Sequence, residues 1–431
     1  MPSPFLASIC ENLNASLVCE PQRLNFDNLP ETESSVFSEL CRRFGDLSEA
    51  LTLDEVLPVK QSLKRISDAV NKDINTITPE NAKKLFGSNI NLSASKIDTL
   101  NHCRFSFFCK YGLRAEKLRA AEFNVLQRGN IAHYVLERVI TDYKKKITDL
   151  SDNELCNLTD KYIEDYLSKV KGFATVRDSK FDFIISRISR SLKEVVCHIA
   201  ADFRQSEFKP VACEFKIGFN DGLKVEFPFD NGKISINGSI DRIDEYNGFI
   251  RIIDYKTGTK TFKLPDIIYG LNLQMLIYLY SVIRGRNIDD KNAAAILYMP
   301  AKRDIKDAGL AMNGLIKADI DLSIAMEKEN KGEFVPKILI NKDGSVGKRA
   351  TSFIKEDGFS EIFDYIEKVM RKTGNLISSG DIAVSPIDGR ESEACKYCDF
   401  KTVCFAEDSK ITKVPKLSND QVFNAIKEAK I

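Results

Sequence analysis

The run GSIDRIDEYNGFIRIIDYKTG, from Gly238 to Gly258, decides how the chain is read. Two isoleucine-rich, strand-like segments flank Asn247-Gly248, the dipeptide of a tight hairpin turn. Residues two apart on a strand share a face, so Asp254 and Lys256 project together while Tyr255 points the other way. Asp241 lies on the preceding strand of the hairpin and can face Asp254. Two converging carboxylates make an oxygen-rich site for a hard cation such as Mg²⁺. A lysine beside them can orient a water and offset charge building on a phosphate, which is the equipment of metal-assisted phosphodiester hydrolysis. A lone D-x-K often arises by chance on the wet face of a hairpin. Here Ile252-Ile253 leads straight into Asp254, which argues for a half-buried strand whose polar end opens on a cleft.

Downstream, DIIYGLNLQMLIYLYSVI (266–283) reads as a helix on which Gln274 and Tyr278, four apart, share a face. Beside the acidic hairpin they become candidate phosphate or base contacts. Upstream, RGNIAHYVLERVITDYKKK reads as a glycine turn followed by an amphipathic helix carrying His133. His102 and His198 are read as packing residues. VACEFKIGF, LKVEFPF and AAAILYMP are further strand-like runs, and residues 151–206 are helical. ITPENAKKLFG reads as a capped helix closed by Gly87, and Ser93 or Ser95 can cap a helix running through Cys103. FSEIFDYIEKVMRKTGNLISSG and NDQVFNAIKEAK complete the helical set, and the first 95 residues read as mostly helical.

Composition limits the alternatives. The chain has 431 residues with 43% hydrophobic and 29% charged, enough for a sizeable core. Its 63 Lys+Arg against 62 Asp+Glu exclude a generally basic nucleic-acid coat but not a local basic groove. Arg104, Arg114 and Arg128, interleaved with phenylalanines, are candidate DNA contacts, because aromatic and basic side chains together suit single strands. No GxxxxGK[ST] occurs, so no ATPase of the P-loop kind is expected in this chain. No apolar run spans a bilayer and the N-terminus lacks a basic region, so a cytoplasmic protein without a membrane partner is expected. Among the 11 cysteines, Cys395, Cys398 and Cys404 form a C-x-x-C-x5-C triplet that points to metal or cluster binding rather than disulfides. A closed tetrathiolate needs a fourth thiol, and Cys103 and Cys109 are the candidates. Iron–sulfur suits the uneven spacing better than zinc, which remains the alternative.

In order, S-x-S-x-I-x-x-L-x-x-C, G-x-x-x-H, G-x-I-D-R-I-D, I-I-D-Y-K-T-G, Q-x-x-x-Y and C-x-x-C-x5-C resemble the RecB-type branch of the PD-(D/E)XK nuclease superfamily, in particular its AddB-type iron–sulfur domains. The resemblance covers roughly residues 80–408, with Arg104 standing where that group has a proline. It implies an α/β, restriction-endonuclease-like core: a central mixed sheet flanked by helices, with large helical insertions and a cysteine-ligated cluster joining the two ends. It implies a helical segment at 1–90, left over from a helicase-like region, a nuclease domain at 91–408 and a tail helix at 409–431. His133, Asp241 and Asp254 match the metal ligands, Lys256 the catalytic lysine, and Gln274 and Tyr278 the Q-x-x-x-Y motif. Cys103, Cys395, Cys398 and Cys404 match the ligands of a [4Fe–4S] cluster. The implied activity is Mg²⁺- or Mn²⁺-dependent exonuclease cleavage of strands from DNA ends, single-stranded ends above all, in double-strand-break repair beside an AddA-like helicase subunit. A non-catalytic DNA-end-binding module and a free-standing CRISPR-associated-type exonuclease are the alternatives.

Overall fold

The computed structural model describes residues 75–116, 125–170, 179–219, 222–258, 260–301, 309–341, 347, 351–404, 406 and 411–429. The helices expected before residue 75 lie outside the described residues. One compact unit runs from Asn75 to Ile431. It therefore takes in residues 75–90, expected to belong with the preceding segment, and the tail helix.

A sheet forms the middle of this unit. Its strands are β1 (Asn89–Ser93), β2 (Lys209–Ile217), β3 (Glu226–Phe229), β4 (Gly232–Tyr246), β5 (Phe249–Lys256), β6 (Ala293–Pro300), β7 (Asn313–Lys317) and β8 (Phe353–Ile354). The path β1-β4-β5-β6-β7-β8 carries β2 and β3 as further partners of the long β4. The sheet is mixed: β4 and β5 are the expected antiparallel hairpin, while β5 and β6 are parallel, as are β1 and β4. Parallel neighbours need a crossover, and between β5 and β6 the chain supplies a helix.

Alternation in β5 explains the two cores. Ile250 and Ile252 face one side, packed with Ile296 and Tyr298 under helices α7 (Gln274–Gly285), α9 (Gly358–Ser379) and α11 (Asn419–Glu428). Ile253 and Tyr255 face the other, under α4 (Val125–Tyr143), α5 (Asp152–Lys169) and α6 (Ser179–Gln205). A sheet buried on both faces reads as nearly continuous apolar sequence, which is why AAAILYMP is buried from Ala293 through Met299. The remaining short elements are α1 (Pro79–Phe86), α2 (Ala94–His102), α3 (Arg104–Phe107), α8 (Ile320–Met326), β9 (Ile387–Asp388), α10 (Lys401–Cys404) and β10 (Thr412–Lys413). Thr78 caps α1 and Ser93 caps α2, each through its hydroxyl. Among the described residues, no helix is long and apolar enough to cross a membrane.

Two expected boundaries are corrected. Helix α4 runs straight through Gly129, where a turn was expected. The helix expected from residue 266 begins only at Gln274: Leu264–Tyr269 is a 3₁₀ turn, stopped by Gly270 at φ 73°. Glycine enters that left-handed region without the steric cost other residues meet, and the reversal re-aims the chain so that Gln274 opens α7.

The two ends of the described unit are stitched together. Ile77 N–H donates to the Gly380 carbonyl, and Ile382 N–H to that of Asn75 (2.8 Å each). His102 Nδ1 lies 2.8 Å from the Ile387 carbonyl oxygen, and Arg104 bonds to Asp381 and to Ser385 Oγ.

Candidate active site

The carboxylates meet where β4 and β5 part. Arg242 pairs with Ile253, Ile243 with Ile252 and Asp244 with Arg251. One position beyond this ladder stand Asp241 and Asp254, on the side of the sheet that faces α7. There the Asp241 side chain takes over from the backbone: its Oδ2 accepts the Tyr255 N–H at 2.7 Å. Asp241 is 9% exposed and Asp254 5%, so both carboxylates stand at the rim of the core rather than on a wet face.

Asp254 is held from two directions. Gln274 Nε2, in the first turn of α7, donates to Oδ1 at 3.1 Å. Lys256 Nζ lies 2.5 Å from Oδ2. That oxygen is buried, with the ammonium as its partner. Burial, and then the neighbouring Asp241 charge, push the Asp254 carboxyl up to about 6 against the pull of Lys256. Gln274 thus holds one of the two carboxylates of the site. Tyr278, one turn further along α7, lies against Gly238: a Cβ there would stand 2.6 Å from its hydroxyl oxygen. Glycine in G-S-I-D therefore lets α7 close on the strand that carries Asp241.

His133 reaches the site from α4. Its Nδ1 lies 3.3 Å from Asp241 Oδ2 and 3.8 Å from Glu214 Oε1, and its ring meets Tyr255 edge-on. Burial alone would lower the imidazole, but its contacts with Asp241 and Glu214 outweigh that and raise it to about 10. Glu214 was not singled out in the sequence. It sits on β2 between Cys213, paired with Arg242, and Phe215, paired with Ile240, and so opposite Asp241. Its φ is 46°, a left-handed backbone inside a strand. His133, Glu214 and Asp241 each offer one ligand atom, and the three atoms lie within 4.8 Å of one another. Two carboxylate oxygens and an imidazole nitrogen, with the Asp254 carboxylate beside them, fit a divalent cation with oxygen preference. Glu214, which the sequence did not mark, thus stands with His133 and Asp241, while Asp254 is turned partly to Lys256.

Beneath the site lies a network of charge with no exposed surface. Arg242, Arg251, Asp202 and Asp244 are all 0% exposed. Asp244 takes both guanidinium groups at 2.9–3.0 Å, and Asp202 of α6 lies 3.4 and 3.5 Å from them. Arg242 also donates to the Tyr255 hydroxyl at 3.3 Å. This network fixes the hairpin from the face opposite the carboxylates.

Five of the described cysteines gather where the α2–α3 region meets the C-terminal segment. Cys395 lies within electrostatic reach of Cys103, Cys398 and Cys404, and so does Cys109. Cys103 occupies the break between α2 and α3. Burial, then the neighbouring thiols, push Cys395 and Cys109 up. Of the three candidate DNA contacts, Arg104 spends its guanidinium on Asp381 and Ser385 and is thereby tied into the fold. Arg114 is exposed at φ 55°. The side chain of Arg128 lies outside the described residues.

The sequence profile of the PD-(D/E)XK nuclease superfamily matches residues 91–405. The chain belongs to the PD-(D/E)XK nuclease superfamily. This nuclease-superfamily chain is also similar to proteins named as the B subunit of an ATP-dependent helicase/deoxyribonuclease. The one from Caldanaerobacter subterraneus subsp. tengcongensis is 29% identical over 361 residues, which is 78% of this chain and 31% of the relative. That from Clostridioides difficile is 28% identical over 409 residues, 85% of this chain and 34% of the relative. The one from Acetivibrio thermocellus is 28% identical over 399 residues, 86% and 34% respectively. The chain spans about a third of the length of the curated relatives it matches.

Proposed function

We propose that this chain is a divalent-metal-dependent deoxyribonuclease domain that shortens strands from DNA ends, the nuclease part of an AddAB-like helicase–nuclease in double-strand-break repair. The observation that carries this reading is the juxtaposition of Asp241, Asp254 and Lys256 at the parting of β4 and β5. His133, Glu214, Asp241 and Asp254 would hold Mg²⁺ or Mn²⁺. The ion would polarise the scissile phosphodiester and lower the pKa of an attacking water. Lys256, anchored by Asp254, positions the nucleophile and offsets the charge growing on phosphate. Gln274 keeps Asp254 from rotating away, and Tyr278 backs the β4 strand. Cys103, Cys395, Cys398 and Cys404 would ligate a [4Fe–4S] cluster with a structural role, supported by a set of thiols that bracket the fold. Zinc is the alternative ion for the same thiols. The names of the relatives support DNA as substrate and an AddA-like helicase as partner.

The test is cleavage of end-labelled single- and double-stranded DNA with Mg²⁺ and without ATP. Wild-type cleavage lost in Asp254→Ala and Lys256→Ala, by roughly 10²-fold or more for removal of a group acting in the transition state, bears the reading out. A folded wild type that binds ends without cutting them replaces it with a non-catalytic end-binding module.

A further inference from the structure

We propose that Lys260 is a second cationic contact of this site, holding the DNA phosphodiester next to the one that is attacked. The inference rests on the nuclease reading above.

Lys256 and Lys260 both stand by Tyr298, their Nζ atoms 5.6 and 5.0 Å from its ring centroid. Tyr298 is the β6 neighbour of Asp254 in the sheet register and is 1% exposed. The two lysines nevertheless differ in what they hold. Lys256 is committed to Asp254. Among the described residues, the Lys260 ammonium has no carboxylate within ion-pair distance and donates no hydrogen bond. Its strongest electrostatic partner is Asp98, which also accepts elsewhere: Asp98 Oδ1 takes the Asn272 N–H at 3.1 Å, just before α7. Asp254 and Asp266 act on Lys260 more weakly, and Lys256 repels it.

The stem that carries Lys260 is nonetheless fixed. Asn313 of β7 donates to the Lys260 carbonyl at 3.0 Å and accepts the Phe262 N–H at 3.1 Å. The result is a half-buried ammonium on a pinned backbone, beside the candidate cation site and without an acceptor. Water still reaches the ammonium, and a partly desolvated cation of this kind gains by pairing with an anion. Burial already pushes the ammonium down from its ordinary range, which is the same desolvation seen from the proton's side. A phosphodiester oxygen supplies what is missing, a charge-assisted hydrogen bond. A lysine suits that contact, because it offers a point charge to one oxygen rather than a fork to two. Contacts of this kind set register and affinity on a nucleic acid and leave the reacting atoms alone.

The test uses the full chain with Lys260→Ala and Lys260→Arg. Binding of a fluorescent single-stranded oligonucleotide is titrated in EDTA at several salt concentrations, and cleavage kinetics are followed with Mg²⁺. Lys260→Ala should weaken binding several-fold and reduce the slope of log K against log salt by about 0.7, one phosphate contact on a single strand. KM should rise by a similar factor while kcat stays within about two-fold, the pattern of a lost ground-state contact. Lys260→Arg should restore the slope. The melting temperature of Lys260→Ala should not fall, which separates the contact from a structural role. Wild-type affinity, slope and KM in Lys260→Ala overturn the inference while leaving the nuclease reading intact. A fall in kcat with unchanged binding also overturns it and moves Lys260 to the reacting phosphate. A wild type that neither binds nor cuts DNA overturns both.

Discussion

Glu214 holds a left-handed backbone in the middle of β2, at φ 46°. A non-glycine residue there costs on the order of 1–2 kcal/mol, and the strand bears it where the carboxylate meets His133 and Asp241. Replacing Glu214 by Gly should remove strain and ligand together. In EDTA the variant should unfold in urea within about 1 kcal/mol of wild type, whereas isothermal titration should show markedly weaker Mg²⁺ binding. A variant that loses stability and keeps Mg²⁺ affinity would remove Glu214 from the ligand set. His133 makes a second expectation possible. Its folded-state pKa, about 10, lies above the ordinary value of 6.5, so without metal the folded state binds more protons than the unfolded one. That stabilisation is fully present below about pH 6.5 and is lost as pH rises towards 10. A ligating imidazole must be neutral. Mg²⁺ affinity should therefore climb between pH 7 and 9, with proton release visible as a buffer-dependent binding enthalpy. Affinity flat across that range would argue against His133 as a ligand.

At the scale of elements, what the sequence discloses is whatever follows a short period. Asp254 and Lys256 share a face because strands alternate, and Gln274 and Tyr278 because helices repeat every turn, so both pairs could be read directly from spacing. Glu214 could not: in VACEFKIGF it looks like any polar residue on an edge strand, and only its pairing opposite Asp241 marks it. Nor does spacing disclose the fate of the charges in IDRID and FIRII. Arg242, Asp244 and Arg251 are buried because Asp202, far upstream on α6, completes them. Asp244→Asn should therefore be costly: weakening one side of a buried network leaves guanidinium groups short of charge, and truncations of buried pairs cost about 3–5 kcal/mol. A urea midpoint close to that of wild type would show that Asp202 alone suffices. The thiols offer a similar test between two candidates. On the proposed iron–sulfur reading, Cys103→Ser should abolish iron content and brown absorption, while Cys109→Ser, on the turn just after α3, should keep both. The reverse result would exchange their roles.

For the molecule as a whole, the two cores are unequal partners of one sheet. The carboxylates, Gln274 and Tyr278 belong to the side covered by α7 and α9, whereas His133 arrives with the α4–α6 layer. Assembly of the site therefore reports that both layers have docked. If the thiols hold the proposed cluster, removing it should loosen the clasp of α2 and α3 on the segment after α9 more than it disturbs Asp254. Hydrogen exchange of the loaded protein and of the Cys398→Ser variant should differ mainly around residues 94–112 and 381–404. Protection lost evenly across β4–β6 instead would make the cluster a support of the whole sheet.

The stitch between Asn75–Ile77 and Gly380–Ile382 bears on how the protein is made. A ribosome releases β1 and the edge it adds to β4 long before the residues that cover that end exist. Contacts so distant in sequence form late, so the early-made segment must wait, apolar face uncovered, while the rest of the domain is translated. Nascent chains stalled before residue 380 should stay sensitive to protease and engage holdase chaperones, and release of the last helices should end both at once.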